Sequence, residues 1–199
     1  MRQILSLLCL LCLTVVCVAQ ASELTGEQRS AVVTKLSSAS KNIKILKADF
    51  VQTRTSTMLA APIESKGTLC FTAPDEVRWS YTSPQSTTLV IKGDSLLIVS
   101  GCGRERKGNN RISKAIATVI RESFVGGSAF NERMFLCRIY EEGTNYRVEM
   151  KPIRRDMQKM FQCLTITIEK KNLLVQRLEL QEKDGNATVI VFRNQKASR

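Results

Sequence analysis

The stretch Gly67–Pro84, GTLCFTAPDEVRWSYTSP, decides the fold. Leu69 and Phe71 share one parity, Val77, Trp79 and Tyr81 share another, and Pro74-Asp75 falls between them. That is the pattern of two β-strands joined by a tight turn. In Val77-Arg78-Trp79-Ser80-Tyr81 apolar and polar residues alternate strictly, so one face of this strand is buried and the other solvated. The single tryptophan of the chain therefore lies on an apolar face among other large groups. What that face meets is the functional question.

The same alternation continues on either side. Strands are expected near 66–73, 76–82, 87–92 and 95–100, and again near 134–141, 145–151, 161–169, 173–182 and 186–193. Leu164, Ile166 and Ile168 alternate with Cys163, Thr165, Thr167 and Glu169, and Leu178 and Leu180 alternate with Arg177, Glu179 and Gln181. Lys92-Gly93-Asp94, Lys171-Asn172 and Asp184-Gly185 supply turns, the last being the strongest because glycine accepts positive φ without cost. With no repeat or linker dividing the chain, the fold expected is one mainly β antiparallel domain with helical additions.

Two segments have helical spacing. From Glu27 to Lys47, Val32 or Val33, Leu36, Ala39, Ile43 and Leu46 form one apolar stripe, with Thr25 as N-cap and Gln28 three residues on. Between the two strand series, the basic, glycine-containing Gly101–Asn110 reads as a mobile loop. It leads into Ile112, Ala115, Ile116, Val119, Ile120 and Phe124, which end at Gly126-Gly127. This second helix is either an ordinary helix packed on the sheet or a lid over its apolar face.

Arg2, the apolar run Ile4–Val18 and Ala19-Gln20-Ala21 have the form of an export signal, so residues 1–21 are expected to be removed and 22–199 to form the single domain. The run is too short to serve as a stable membrane anchor. The net charge is +12, and loss of Arg2 leaves +11. Outside the cytoplasm such a surface suits anionic headgroups, acidic polysaccharide or an acidic protein face, and no nucleic-acid partner is expected. Cys70, Cys102, Cys137 and Cys163 remain after export at wide spacings, without a C-x-x-C pair, and are expected to be mostly buried free thiols.

The chain has no histidine, which removes the usual Ser-His and Cys-His pairs and the commonest metal ligand. Glu141-Glu142 point opposite ways on an extended chain, and Asp75-Glu76 read as turn residues. Cys102, near Arg104, Arg106 and Lys107, has the one thiol with a setting that favours its thiolate. No catalytic group, metal site or cofactor is expected. An apolar interior is the alternative site: about eight strands can fill a barrel with their own side chains, whereas more strands leave a cavity. Here about nine to eleven strand candidates meet an aromatic content of only 6%. A lipid suits such a space, since each buried methylene contributes roughly 0.8 kcal/mol.

Ala48-Asp49-Phe50-Val51-Gln52-Thr53, then SKGTLCFTAPDEVRWSYTSP, then Leu89-Val90-Ile91-Lys92-Gly93-Asp94 resemble the periplasmic outer-membrane lipoprotein carrier family, the LolA-like proteins. The family's F-x-Q element, G-x-L-x-F strand, proline turn and R-W-x-Y strand are all present, and LELQEKDGNATVIVF is similar to its final hairpin. The resemblance covers roughly Glu27 to Phe192.

It implies a half-open antiparallel β-barrel in the periplasm, with an N-terminal helix and a helical lid over an apolar cavity. It implies a monomeric carrier without covalent chemistry that shields acyl chains of lipoproteins. Such a carrier works between an inner-membrane lipoprotein-releasing transporter and an outer-membrane acceptor. Leu69, Phe71, Val77, Trp79 and Tyr81 would line the cavity, together with Leu89, Ile91, Leu164, Ile166 and Ile168 of the strands and Ile112, Ile116, Val119, Ile120 and Phe124 of the lid. A glycolipid or polyene lipid as cargo, or a lipid-sensing regulatory domain on the same half-barrel, fits the same residues. Where many members carry a basic lid latch before the turn proline, this chain has Ala73.

Overall fold

A computed structural model describes residues 21–93, 95–107 and 134–199. Its elements are β1 (Ser22–Glu23), α1 (Gly26–Lys41), β2 (Ile45–Thr55), β3 (Ile63–Thr72), β4 (Glu76–Ser83), β5 (Thr87–Lys92), β6 (Ser95–Ser100) and β7 (Glu105–Lys107). After the second gap come β8 (Phe135–Glu142), β9 (Asn145–Pro152), α2 (Arg155–Gln158), β10 (Phe161–Glu169), β11 (Val175–Glu182) and β12 (Ala187–Ser198). The twelve strands form one sheet in the order β1-β8-β9-β10-β11-β12-β2-β3-β4-β5-β6-β7. Every pairing is antiparallel, and β1 and β7 are its two edges, so the sheet is open. The expected export signal falls almost wholly on residues 1–20, and the lid residues Ile112, Ile116, Val119, Ile120 and Phe124 fall on 108–133; both lie outside the described residues.

One face of the sheet is apolar from β8 to β6, between the two polar edge strands. Leu69 pairs with Trp79, Trp79 with Leu89 and Leu89 with Ile98; one step along, Phe71, Val77, Ile91 and Leu96 form a parallel row. In the other half Ile139, Val148, Ile166, Leu178 and Ile190 face each other in register. A sheet this wide buries a single face only by curling. The rings show the curl: Trp79 of β4 and Phe192 of β12 lie 5.9 Å apart, although their strands are three places apart, about 14 Å in a flat sheet.

Helix α1 crosses this face. Its N-terminal lead pairs with β8 and donates from Leu24 N–H to Ile139 O (2.8 Å), while beyond its C-terminus Lys44 N–H donates to Ser198 O and Lys44 O accepts from Ala73 N–H (2.8 Å each). Its 16 residues span about 24 Å, roughly the five strand spacings from β8 to β2. Leu36 is buried, and Val32 and Val33 pack on the core. The helix stops at Lys41, six residues before the expected Lys47. The Ser40 hydroxyl donates back to Leu36 O at 2.8 Å, the local competition that weakens serine-rich helix ends, and the sheet takes the backbone of Lys44. Ile43 and Leu46 keep their place in the apolar stripe, but from the link and from β2 (4% and 1% exposed). Thr25 is the N-cap residue, in extended conformation, without a capping bond from its side chain.

Two further expectations need correction. The segment read as a loop at 101–110 carries β7, which pairs with β6, and Ser100 ties down its start by accepting from Arg104 N–H at 3.1 Å. Of the four cysteines among the described residues, all free, only Cys137 is buried; Cys70 and Cys163 are half-buried and Cys102 is exposed. Cys70 and Cys163 sit at the parity opposite to Leu69 and Leu164, on the outer face.

Gly67 shows what the curl demands. A Cβ there would lie 2.1 Å from Ser80 O and 2.6 Å from Phe50 Cζ, because Phe50 folds over β3 to reach Trp79. Gly67→Ala is expected to cost about 3 kcal/mol, since backbone and an aromatic ring must both move. A urea unfolding midpoint close to that of the wild type is the result that contradicts this.

Candidate functional site

The centre of the apolar face is an aromatic cluster on β2, β4 and β12. Phe50 and Trp79 stack with centroids 4.4 Å apart, Tyr81 meets Phe50 edge-on at 5.3 Å, and Phe192 closes on Trp79 from the far side. Such pairs add to the free energy of their buried area. β-Strand pleating brings them together: Phe50 opposes Phe192 on one side and Gly67 on the other, and Gly67 opposes Tyr81.

Of the residues expected to face lipid, Leu69, Phe71, Val77, Trp79, Ile91, Leu164, Ile166 and Ile168 are buried on this one face. Tyr81 and Leu89 pack against them, partly buried. They form two groups, on β3–β5 and on β10, bridged by Ile190 and Phe192 of β12 and by Phe50 of β2. The bridge was missed as a site. Phe50 had its signal in the alternation Leu46, Ala48, Phe50, Gln52, but the meeting of Phe192 with Trp79 depends on curvature, which no local pattern carries.

The cluster has one polar margin. Tyr81 donates its hydroxyl to Gln52 Oε1 at 2.9 Å. Burial raises the Tyr81 pKa above its ordinary 10.0, eased by Trp79 and Gln52. The Trp79 indole N–H is close enough to Tyr81 to contribute to that easing, yet meets no acceptor at hydrogen-bonding geometry.

The outer face is polar. A groove of about 670 Å³ runs along it between β12, β2 and β3, lined by Lys47, Asp49, Thr68, Cys70 and the bulged Asn194–Lys196. It lies on the side of the sheet away from the aromatic cluster. Arg78 is exposed there, beside Glu76 at 3.9 Å, as its parity requires. The carboxylates of the β8–β9 turn are neutralised separately: Glu141 by Lys170 at 2.6 Å, Glu142 by Arg147 at 2.6 Å, and Arg147 also binds Glu149 and lies over Tyr140. Cys102 is exposed, and its pKa is lowered first by the Ser100 hydroxyl at 3.1 Å and then by the Arg104 backbone, not by the basic side chains nearby. Among the described residues no cluster of three His, Cys, Asp or Glu side chains forms a metal site.

An open antiparallel sheet with one continuous apolar face and a cross-lying N-terminal helix is the half-barrel class of β protein. The chain belongs to the LolA family: residues 41–199 match the family described as "Outer membrane lipoprotein carrier protein LolA". No curated protein matches the chain. Among solved structures, an uncharacterized conserved protein from Thermus thermophilus is 7% identical, with a TM-score of 0.52 over 86% of this chain and 89% of that one. A chain of the Pseudomonas aeruginosa MucA/MucB complex is 12% identical, with a TM-score of 0.51 over 85% of this chain and 57% of that one. A LolA superfamily protein from Nitrosomonas europaea is 9% identical, with a TM-score of 0.45 over 84% and 94% of the two chains. At such identities the likeness is one of fold. The chain spans little more than half of the MucB length it matches. Among the described residues no helix is long and apolar enough to cross a membrane.

The raised Tyr81 pKa has a consequence for stability. The folded chain holds this proton more tightly than the unfolded one, so the contribution is complete below the free-tyrosine value of 10.0 and is lost as pH rises through the folded pKa. Tyr81→Phe is expected to abolish this alkaline loss and, by removing the bond to Gln52, to cost about 1 kcal/mol at neutral pH. Urea unfolding of both proteins across the alkaline range checks it; parallel pH profiles contradict it.

Proposed function

We propose that the chain is a periplasmic lipid carrier that shields the acyl chains of lipoproteins on the apolar face of its sheet and moves them from the inner to the outer membrane. The observation that carries this reading is the openness of the sheet. Among the described residues twelve strands form one sheet with an apolar face, and their order ends in two edges, β1 and β7, rather than closing into a barrel. The LolA family match supports the cargo class. On this reading Leu69, Phe71, Val77, Trp79, Tyr81, Leu89 and Ile91, with Leu164, Ile166 and Ile168 across the face, contact acyl chains. Methylene burial supplies affinity at roughly 0.8 kcal/mol each, and no bond is made or broken. Handover rests on differences in affinity between a releasing transporter in the inner membrane and an acceptor in the outer one.

The likeness to a chain of the MucA/MucB complex favours a second reading, an interaction domain that docks a protein partner on the same fold.

Protein expressed with its natural export route is expected to yield fatty-acyl lipid on extraction and mass spectrometry, and delipidated protein to take up a fluorescent fatty acid. Leu89→Glu places a charge on the apolar face at a half-buried position and is expected to weaken uptake at least about tenfold with the fold retained, because the ligand must then bury an unpaired charge. Wild-type protein without lipid or uptake, or Leu89→Glu with undiminished uptake, rules out the carrier.

A further inference from the structure

The large apolar side chains that the fold leaves exposed are not scattered. The connections β2–β3, β4–β5, β6–β7, β9–β10 and β11–β12 emerge at one end of the sheet, since Ile63, Ser83, Ser100, Phe161 and Ala187 all pair at that end. Met58, Leu59, Ile63, Leu136 and Ile153 lie at this rim, with 46% to 91% of their surface exposed. At the opposite rim Ile45 stands alone among the described residues. Single exposed apolar residues mean little, but Met58, Leu59 and Ile63 of one loop are contiguous, and a contiguous apolar group marks a contact surface.

The most prominent part is the β2–β3 loop, where Thr57-Met58-Leu59-Ala60-Ala61-Pro62-Ile63 are all exposed and carry no charge. This tip is held in place. Met58 N–H donates to Ser56 Oγ at 3.3 Å and Leu59 N–H to Ser56 O at 3.1 Å. Thr57 N–H donates to Asn186 Oδ1 at 3.2 Å, and the same Asn186, 8% exposed, is fixed by Asp184 at 2.7 Å. A neighbouring hairpin thus uses its buried amide to present Met58, 91% exposed, to solvent.

The rim that carries the tip has an excess of cations. Arg104, Lys151, Arg155, Lys159 and Lys183 stand at the same rim, and no ion pair engages them among the described residues. Of the rim's carboxylates, Glu182 is paired with Arg54 at 3.5 Å and Glu64 with Lys66 at 3.2 Å, while Asp184 accepts from the neutral Asn186 amide and keeps its charge. Glu105 sits between Arg104 and Arg106. At the far rim Lys170 is paired with Glu141 and Lys92 with Glu76, while Lys44 and Lys171 are in no ion pair among the described residues, so it is the apolar tip together with its cations, not charge alone, that sets the first rim apart.

Uncharged apolar tips set among such cations match one surface chemistry, in which methylenes lie under a layer of phosphate. We propose that this rim docks the protein on an anionic bilayer, with Met58 and Leu59 entering the boundary between headgroups and acyl chains and the surrounding lysines and arginines resting on lipid phosphates. The surface is separate from the apolar sheet face, so docking stands or falls independently of cargo binding.

Flotation of the purified, delipidated chain with vesicles of phosphatidylethanolamine and phosphatidylglycerol tests it. The wild type is expected to float with these vesicles, to float weakly with phosphatidylcholine alone, and to be released by raised salt as exposed charges are screened. Met58→Ser/Leu59→Ser is expected to raise the lipid concentration for half-binding at least about tenfold, the scale set by two inserted apolar side chains. Lys159→Gln/Lys183→Gln is expected to remove most of the preference for phosphatidylglycerol. Both variants should keep wild-type unfolding midpoints and fatty-acid uptake, and Ile45→Ser at the other rim should float like the wild type. No flotation of the wild type, equal flotation of the tip variant, or an equal loss with Ile45→Ser overturns the proposal. So does a dimer in sedimentation that the tip variant dissolves, because the rim is then covered by a second copy.

Discussion

The antiparallel seam between β2 and β12 joins residues from opposite ends of the chain in ten cross-strand pairs, and the single sheet exists because of it. On one side lie β8 to β11, on the other β3 to β7. Each side alone is a meander with one apolar face and nothing opposite it. Pairing Phe192 with Phe50 puts both halves in one register and brings four aromatic rings to the seam. A one-residue slip here would turn Phe50 and Ile190 to water and the outward Lys47 and Asp49 inward. The break in register between Arg193 and Lys196, with Asn194 at φ 52, leaves the aromatic stretch in phase and confines the irregularity to the solvated end.

Gly67 is the local condition for that seam. An apolar ring on β2 can reach one on β4 only across the strand between them, and only a residue without a side chain leaves room. Phe50, Gly67 and Tyr81 therefore act as one unit spread over three strands. With Phe50 leaning over β3, the rings of β2, β4 and β12 meet on one face, so the packing of the centre depends on that one glycine.

Much of this was legible in the chain, and the reason is burial on one side. Where a strand has a wet and a dry face, period-two alternation records it, so Val77–Tyr81 and Leu164–Ile168 were read at the right parity. Elements held by partners rather than by pattern were not legible. β7 is Glu-Arg-Lys, three charges that are a strand only because β6 lies beside them. The end of β12, Arg193–Ser198, has no alternation and is held by Ile45–Lys47. Helix α1 was drawn too long because Ile43 and Leu46 continue its stripe at helical spacing while already serving the sheet. For the site, parity gave the face of Trp79 but not its neighbours, since contacts such as Trp79 with Phe192 follow from curvature set by the whole sheet.

The distribution of charge follows from the same architecture. Some cations along the strands and at the far rim meet carboxylates, as Arg177 meets Glu179 two residues along β11 and Lys170 meets Glu141 of a neighbouring turn. Regular alternation makes such neighbours easy to supply. Loops at the other rim have no cross-strand partner to offer, and beside the acids Glu105 and Asp184 they carry Arg104, Arg155, Lys159 and Lys183 without an ion pair among the described residues. A net positive chain could have spread its excess evenly at no cost to the fold. Cations without an ion pair in fact stand at both rims among the described residues, so it is the uncharged, exposed Met58 and Leu59, with cations on the same rim, that mark the end suited to something larger and negatively charged.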